Sequence, residues 1–119
     1  MYVRVTHVQA PEPGRIREGL EGWYRTVLPM TKVREGFLGV VSLVNWQTGR
    51  ALSLTIWDGD EDRLASVEAE YHKKAIARFG EFFTGAHAPE DFELNLCEGP
   101  LFSEPHYADS AREILADSV

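Results

Sequence analysis

The segment Phe37–Trp46 restricts this chain more than any other. Read as a strand, it carries Phe37, Val41 and Leu43 on one face and Leu38, Val40 and Val44 on the other. Side chains alternate across a strand, so a segment that is apolar on both faces must be covered on both. One layer of helices covers one face only. The other calls for a further layer, and a second copy of the chain is the simplest source of one.

The rest of the pattern supplies the other layers. Tyr2–Gln9 alternates as a strand, with Val3, Val5 and His7 on one face and Tyr2, Arg4 and Thr6 on the other. After the breaker Pro11–Gly14, Ile16, Leu20, Trp23, Val27 and Met30 recur at helical spacing, and Pro29 is predicted to end or kink that helix. Residues 47–50 read as a hairpin connection, with Gly49 free to take positive φ. The third strand, Ala51–Trp57, has Leu52, Leu54 and Ile56 on one face. Ala51, Ser53, Thr55 and Trp57 share the other. Acidic residues from Asp58 to Asp62 precede a long helix whose stripe is Val67, Tyr71, Ala75, Phe79 and Phe82. Phe92–Cys97 reads as the fourth strand with Phe92, Leu94 and Leu96 inward, and residues 106–117 as a short C-terminal helix.

This order, β-α-β-β-α-β, predicts an α+β, ferredoxin-like split fold: a four-stranded antiparallel sheet with two helices on one face. The helices are expected over Val3, Val5, Leu52, Leu54, Ile56, Phe92, Leu94 and Leu96. The face with Tyr2 and Trp57 is then left for a second copy. Arg4 and Glu93, on neighbouring strands, are expected to pair. Residues 1–99 form the domain, and 100–119 a C-terminal extension.

Composition excludes several functions. A chain of 119 residues is one domain. Its net charge of −7 is a poor match for nucleic acid or an anionic membrane surface. No apolar run approaches the roughly 18 residues of a membrane span. The alternating, arginine-bearing N-terminus does not read as a signal peptide. The single cysteine, Cys97, allows neither an internal disulfide nor a multi-cysteine metal site, and a cytoplasmic setting is expected. No nucleotide loop, hydrolase elbow or zinc signature is present.

Three motifs in order carry a resemblance: Glu35-Gly36-Phe37-Leu38-Gly39, then Thr48-Gly49-Arg50, then Ser53-Leu54-Thr55-Ile56-Trp57 before the acidic start of the long helix. Together with the first strand, over about residues 2–98, they resemble the antibiotic-biosynthesis-monooxygenase-like domain of the dimeric α+β barrel superfamily. The resemblance implies a homodimer whose sheets face each other, and a small-molecule cleft between sheet and helices in each protomer. It also implies oxygenation of a small aromatic or quinol-like substrate without a cofactor. A non-catalytic small-molecule-binding or stress-associated dimer is the alternative. In the haem-degrading branch an asparagine, a tryptophan and an axial histidine stand where this chain has His7, Ser66 and Ala75, so no haem and no metal is expected.

Cofactor-free oxygenation needs a base with a pKa near the working pH. His7 is the first candidate, expected at the helix-facing end of the first strand; the alternative is a structural histidine held by a backbone carbonyl. Tyr71 is the second, either reaching into the cleft or packing in the core. Trp23, Phe37, Leu54 and Phe79 are expected to line a pocket for a hydrophobic or aromatic ligand, or to be plain core. His72 and Glu68 have metal-like i,i+4 spacing, but the adjacent Lys73 and Lys74 disfavour a cation.

Overall fold

The computed structural model describes residues 1–59, 73, 74, 77 and 89–117. Strand β1 (Tyr2–Gln9) leads through a 3-10 turn (Pro13–Arg15) into helix α1 (Ile16–Gly22), a π-helical turn (Trp23–Val27) and helix α2 (Leu28–Lys32). Strands β2 (Phe37–Asn45) and β3 (Arg50–Trp57) form a hairpin, and β4 is Glu90–Glu93. The four strands make one sheet in the order β2-β3-β1-β4. Strands β1 and β2 both run antiparallel to β3. They are therefore parallel to each other and need the helical crossover between them. This is the predicted split topology. Of the predicted second helix, Lys73, Lys74 and Ala77 are described, and all three are helical and exposed. Tyr71, His72 and Phe79 lie outside the described residues.

The two sheet faces are the reverse of the expectation. Register pairs Tyr2 with Trp57, Arg4 with Thr55, Thr6 with Ser53 and Val8 with Ala51, so these residues share a face. Ile16 and Leu20 of α1 pack with Ala10 and Ala51, and Val8 and Val44 pack against that cluster. The helix therefore lies on the face carrying Ala51, Ser53 and Ser42. Small side chains there let the bulky helix residues seat close to the sheet, as dense interior packing requires. Farther along the same face Trp57 is completely buried beside Tyr2, and Phe37 meets the Trp57 ring edge-on with centroids 5.6 Å apart.

Phe37 reaches this face through an irregularity. The β2–β3 register slips between Phe37 and Gly39, leaving Leu38 as the extra residue of a bulge. Strict alternation put Phe37 with Val41 and Leu43. The bulge turns it to the Trp57 side and leaves Val41 and Leu43 with Leu52 and Leu54 on the opposite face. That opposite face is open at its edge strands, where Val41, Leu43 and Phe92 are 40%, 49% and 50% exposed; between them Leu52, Leu54 and Ile56 are half-buried and Val3 is buried.

The predicted fourth strand is broken. Strand β4 pairs Tyr2 with Glu93 and Val5 with Glu90, and Leu94 adds one hydrogen bond to the Met1 carbonyl. The chain then leaves the sheet. The Asn95 carbonyl accepts from the Ala108 amide at 2.8 Å, and its side-chain amide donates to Ser110 Oγ at 2.7 Å. Leu96 and Cys97 form β5, which pairs with β6 (His106–Tyr107) ahead of helix α3 (Asp109–Asp117). This small hairpin spans the expected boundary at residue 99. The Tyr107 phenol is hydrogen-bonded to Glu98, whose carboxylate raises the phenol's pKa.

The partner of Arg4 is Asp91, two residues before the expected Glu93, because β4 begins earlier and sets Asp91 directly opposite Arg4. The contact is bidentate, at 2.8 and 3.0 Å, with Asp91 partly exposed. We expect Asp91→Asn to lower unfolding stability by about 1 kcal/mol, the upper end for a solvent-accessible pair, and Glu93→Gln to change it by less than about 0.5 kcal/mol. Urea melts of the two variants check this; equal losses would mean that the register is wrong.

A second prediction comes from the β2–β3 turn. Gly49 has φ of +72°, and a Cβ there would stand 2.7 Å from the Pro13 Cα. Gly49→Ala is expected to lose about 2 kcal/mol or more, since the left-handed conformation alone costs about 1–2 kcal/mol for an L-residue. An unchanged urea midpoint would show that the loop and the 3-10 turn do not pack as described.

Candidate functional site

The candidate site grows out of the π-helical turn. There the Leu28 amide donates to the Trp23 carbonyl, five residues back. In an ideal α-helix residues five apart point about 140° away from each other. The wider turn brings Trp23 and Leu28 to one side, with Tyr24 beside them. Its cause is visible in the next residue but one. Pro29 has no amide to donate, and its ring clashes with the carbonyl four residues back in a regular helix. A π turn directly before it displaces that carbonyl, and the helix continues to Lys32 instead of ending at Pro29. The Thr31 hydroxyl, buried, donates to the Val27 carbonyl at 3.1 Å. The apolar stripe shifts accordingly: Ile16, Leu20 and Val27 are buried, but Met30 is exposed.

Between this turn and the sheet lies a cavity of about 320 Å³, lined by Trp23, Tyr24 and Leu28 from the helix, Val40 and Ser42 from β2, and Ser53 from β3. That is the lower end of the range for small-molecule pockets. Its polar side-chain groups are the hydroxyls of Tyr24, Ser42 and Ser53 and the indole N–H of Trp23. Tyr24 Oη and Ser42 Oγ are 2.5 Å apart in a direct hydrogen bond, and Ser53 is the cross-strand neighbour of Ser42. None of the described lining residues carries a charge. Tyr24 is 41% exposed, which places the Tyr24–Ser42 bond at the mouth rather than at the floor.

The residues singled out from sequence separate in space. Trp23 forms part of the cavity wall. Phe37 is on the same sheet face but packs against Trp57, away from this cavity. Leu54 lies on the open face, as does His7, whose register partner is Leu52. The expectation that His7 faces the cleft between sheet and helices is therefore corrected: the parity with Val3 and Val5 holds, but that row faces away from α1. His7 Nε2 stands 3.7 Å from Glu90 Oε1 at the β1–β4 edge. Tyr71 and Phe79 lie outside the described residues. Tyr24, Leu28, Ser42 and Ser53 were not singled out. Tyr24 falls one position off a 3.6-residue stripe, and the two serines lie on the face taken to be away from the helices. Pro29 was the usable signal, since a helix that continues past proline needs a local departure from α geometry.

Among the described residues no group of three or more His, Cys, Asp and Glu could hold a metal ion, and no helix is long and apolar enough to cross a membrane.

The sheet order, the helical crossover and the cavity beneath it define an α+β fold of the ferredoxin-like kind. Solved structures place it more closely. A protein from Deinococcus radiodurans assigned by name to the antibiotic biosynthesis monooxygenases matches with a TM-score of 0.59 at 13% identity, over 83% of this chain and 97% of its own. The Streptomyces coelicolor monooxygenase from the gene ActVA-Orf6, solved in complex with nanaomycin D, matches with a TM-score of 0.58 at 13% identity, over 86% of this chain and 92% of its own. No protein-family model and no curated protein sequence matches the chain. The chain thus has the fold of antibiotic biosynthesis monooxygenase structures, as the three motifs implied.

Proposed function

We propose that this protein oxygenates a small aromatic or quinol-like substrate, without a cofactor, in the cavity between the π turn and strands β2 and β3. The observation that carries the reading is the cavity itself: aromatic and aliphatic walls, three hydroxyls and an indole N–H as its polar side-chain groups, and no charged lining residue among those described. The names of the two similar structures, and the ligand held by the S. coelicolor protein, support it. The chemistry asks little of such a site. A substrate methylene flanked by aromatic rings and a carbonyl is acidic. Loss of a proton leaves a carbanion that supplies electrons to O2. One oxygen atom stays on carbon as a new carbonyl, the other leaves as water with both methylene hydrogens, and the substrate provides all four electrons. An apolar pocket protects the carbanion from the solvent protons that would quench it.

His7 does not enter this cavity. A role for it as base would place the reaction on the opposite sheet face. The second reading, a non-catalytic binding dimer, is favoured by one feature of the site: Tyr24 is the one titratable group among the cavity's described lining residues.

Oxygen uptake decides between the two. With anthrone or a reduced naphthoquinone, the wild-type chain is expected to consume O2 faster than buffer. Trp23→Ala should reduce the rate up to about tenfold, the worth of one aromatic contact, and His7→Ala should leave it unchanged. A fall of roughly 10²–10⁴-fold in His7→Ala, the range for removing a general base, would move the reaction to the open face. Uptake no faster than buffer would reject catalysis on these substrates and leave the binding reading.

The assembly we propose is a homodimer closed through the open face. Val41 and Leu43 stand exposed there on the edge strand β2 with Leu52 and Leu54 beside them, and Phe92 stands exposed on the other edge strand, β4. A second copy presenting the same face is self-complementary. Light scattering at micromolar concentration should give the mass of two chains, and Leu43→Asp should give one chain with its circular dichroism unchanged. A wild-type monomer, or a dimer indifferent to Leu43→Asp, would refute this interface.

A further inference from the structure

We infer that the hydroxyls of Tyr24, Ser42 and Ser53 anchor one uncharged oxygen of the ligand, so that the cavity selects neutral hydroxyl- or keto-bearing aromatics over the corresponding carboxylates. The inference rests on the aromatic-ligand reading above and specifies which wall receives the ligand's polar edge. Tyr24 Oη and Ser42 Oγ already share one hydrogen bond at 2.5 Å. A hydroxyl has one proton and two lone pairs, so a bonded pair of hydroxyls keeps one O–H and further lone pairs to offer a third group. Ser53 sits directly opposite Ser42 in the β2–β3 register and on the same face, close enough for its hydroxyl to join the cluster. The remaining walls, Trp23, Leu28 and Val40, provide faces for a flat ring, and the indole N–H of Trp23 is the one polar side-chain group among them.

The same arrangement rejects a carboxylate. A charged oxygen that leaves water needs a cation or several donors in return. Here the side-chain donors are one spare hydroxyl proton, the Ser53 hydroxyl and the Trp23 indole N–H, all neutral, with no cation among the described lining residues. A phenol or ketone needs only one or two neutral bonds. The π turn makes the anchor possible, since it holds Tyr24 over the β2 edge while Trp23 and Leu28 flank the ring site. A purely structural Tyr24–Ser42 bond, tying helix to edge strand, would affect stability and leave ligand preference unchanged.

Equilibrium dialysis of the full chain at neutral pH with naphthalene, 1-naphthol and 1-naphthoate tests this. Wild type should bind 1-naphthol about 2- to 10-fold more tightly than naphthalene, the range of one neutral hydrogen bond, and 1-naphthoate more weakly than either. Tyr24→Phe and, separately, Ser42→Ala should bring 1-naphthol to the affinity of naphthalene while naphthalene itself is unchanged. A naphthol preference that survives both substitutions overturns the anchor, as does 1-naphthoate binding at least as well as 1-naphthol. Failure of all three compounds to bind overturns the aromatic-cavity reading and the anchor with it. A preference that both substitutions abolish, in a protein that consumes no oxygen, upholds the anchor and removes only the catalysis.

Discussion

The contact of Ile16 and Leu20 with Ala10 and Ala51 decides which face of the sheet belongs to the helix, and most other features follow from that choice. A helix settles where its large side chains find room. The row Val8, Ala51, Ser53 and Ser42 offers that room, while the aliphatic row of Leu52, Leu54, Val41 and Leu43 stands too tall for close approach and is left outward. The cavity follows because Ser42 and Ser53 do not fill the space beneath Trp23 and Leu28. So does the proposed assembly: an apolar sheet face in water is a face to be covered, and the chain puts its bulkiest aliphatic row there.

The second constraint is Pro29. A proline three residues before the end of the helical segment would ordinarily terminate or bend it. Here the widened turn ahead of it keeps the axis going and rotates the residues that follow. One backbone irregularity therefore does two things. It accommodates an imino acid, and it gathers Trp23, Tyr24 and Leu28 on one side of the helix, where regular spacing would disperse them. The bulge at Leu38 acts in the same way on β2, sending Phe37 to Trp57 and completing the aromatic end of the helix-covered face.

Electrostatics is local in this fold. The Arg4–Asp91 fork fastens the short edge strand β4 to β1 on one face, and His7 and Glu90 stand together on the other. Neither set reaches the cavity. None of the cavity's described lining residues is charged, which is why the ligand proposed for it is an uncharged aromatic.

By itself the sequence determined the element order, the split topology, and the extents of β1, β2 and β3 to within a residue, because period-2 alternation and turn residues are local signals. It also showed that β2 is apolar on both faces. Alternation establishes that a strand has two faces. It does not say which one meets a helix, and an apolar row serves a helix or a second sheet equally well. That assignment was settled by relative side-chain size across three strands, a tertiary property, and it carried His7 and Leu54 away from the cavity and brought Ser42 and Ser53 into it. The exchange of Glu93 for Asp91 opposite Arg4 has the same origin, since strand register depends on where β4 begins and no local residue marks that. Tyr24 stayed hidden for a geometric reason: a stripe read at 3.6 residues per turn assumes a regular helix, and only the folded backbone shows where Pro29 makes it irregular.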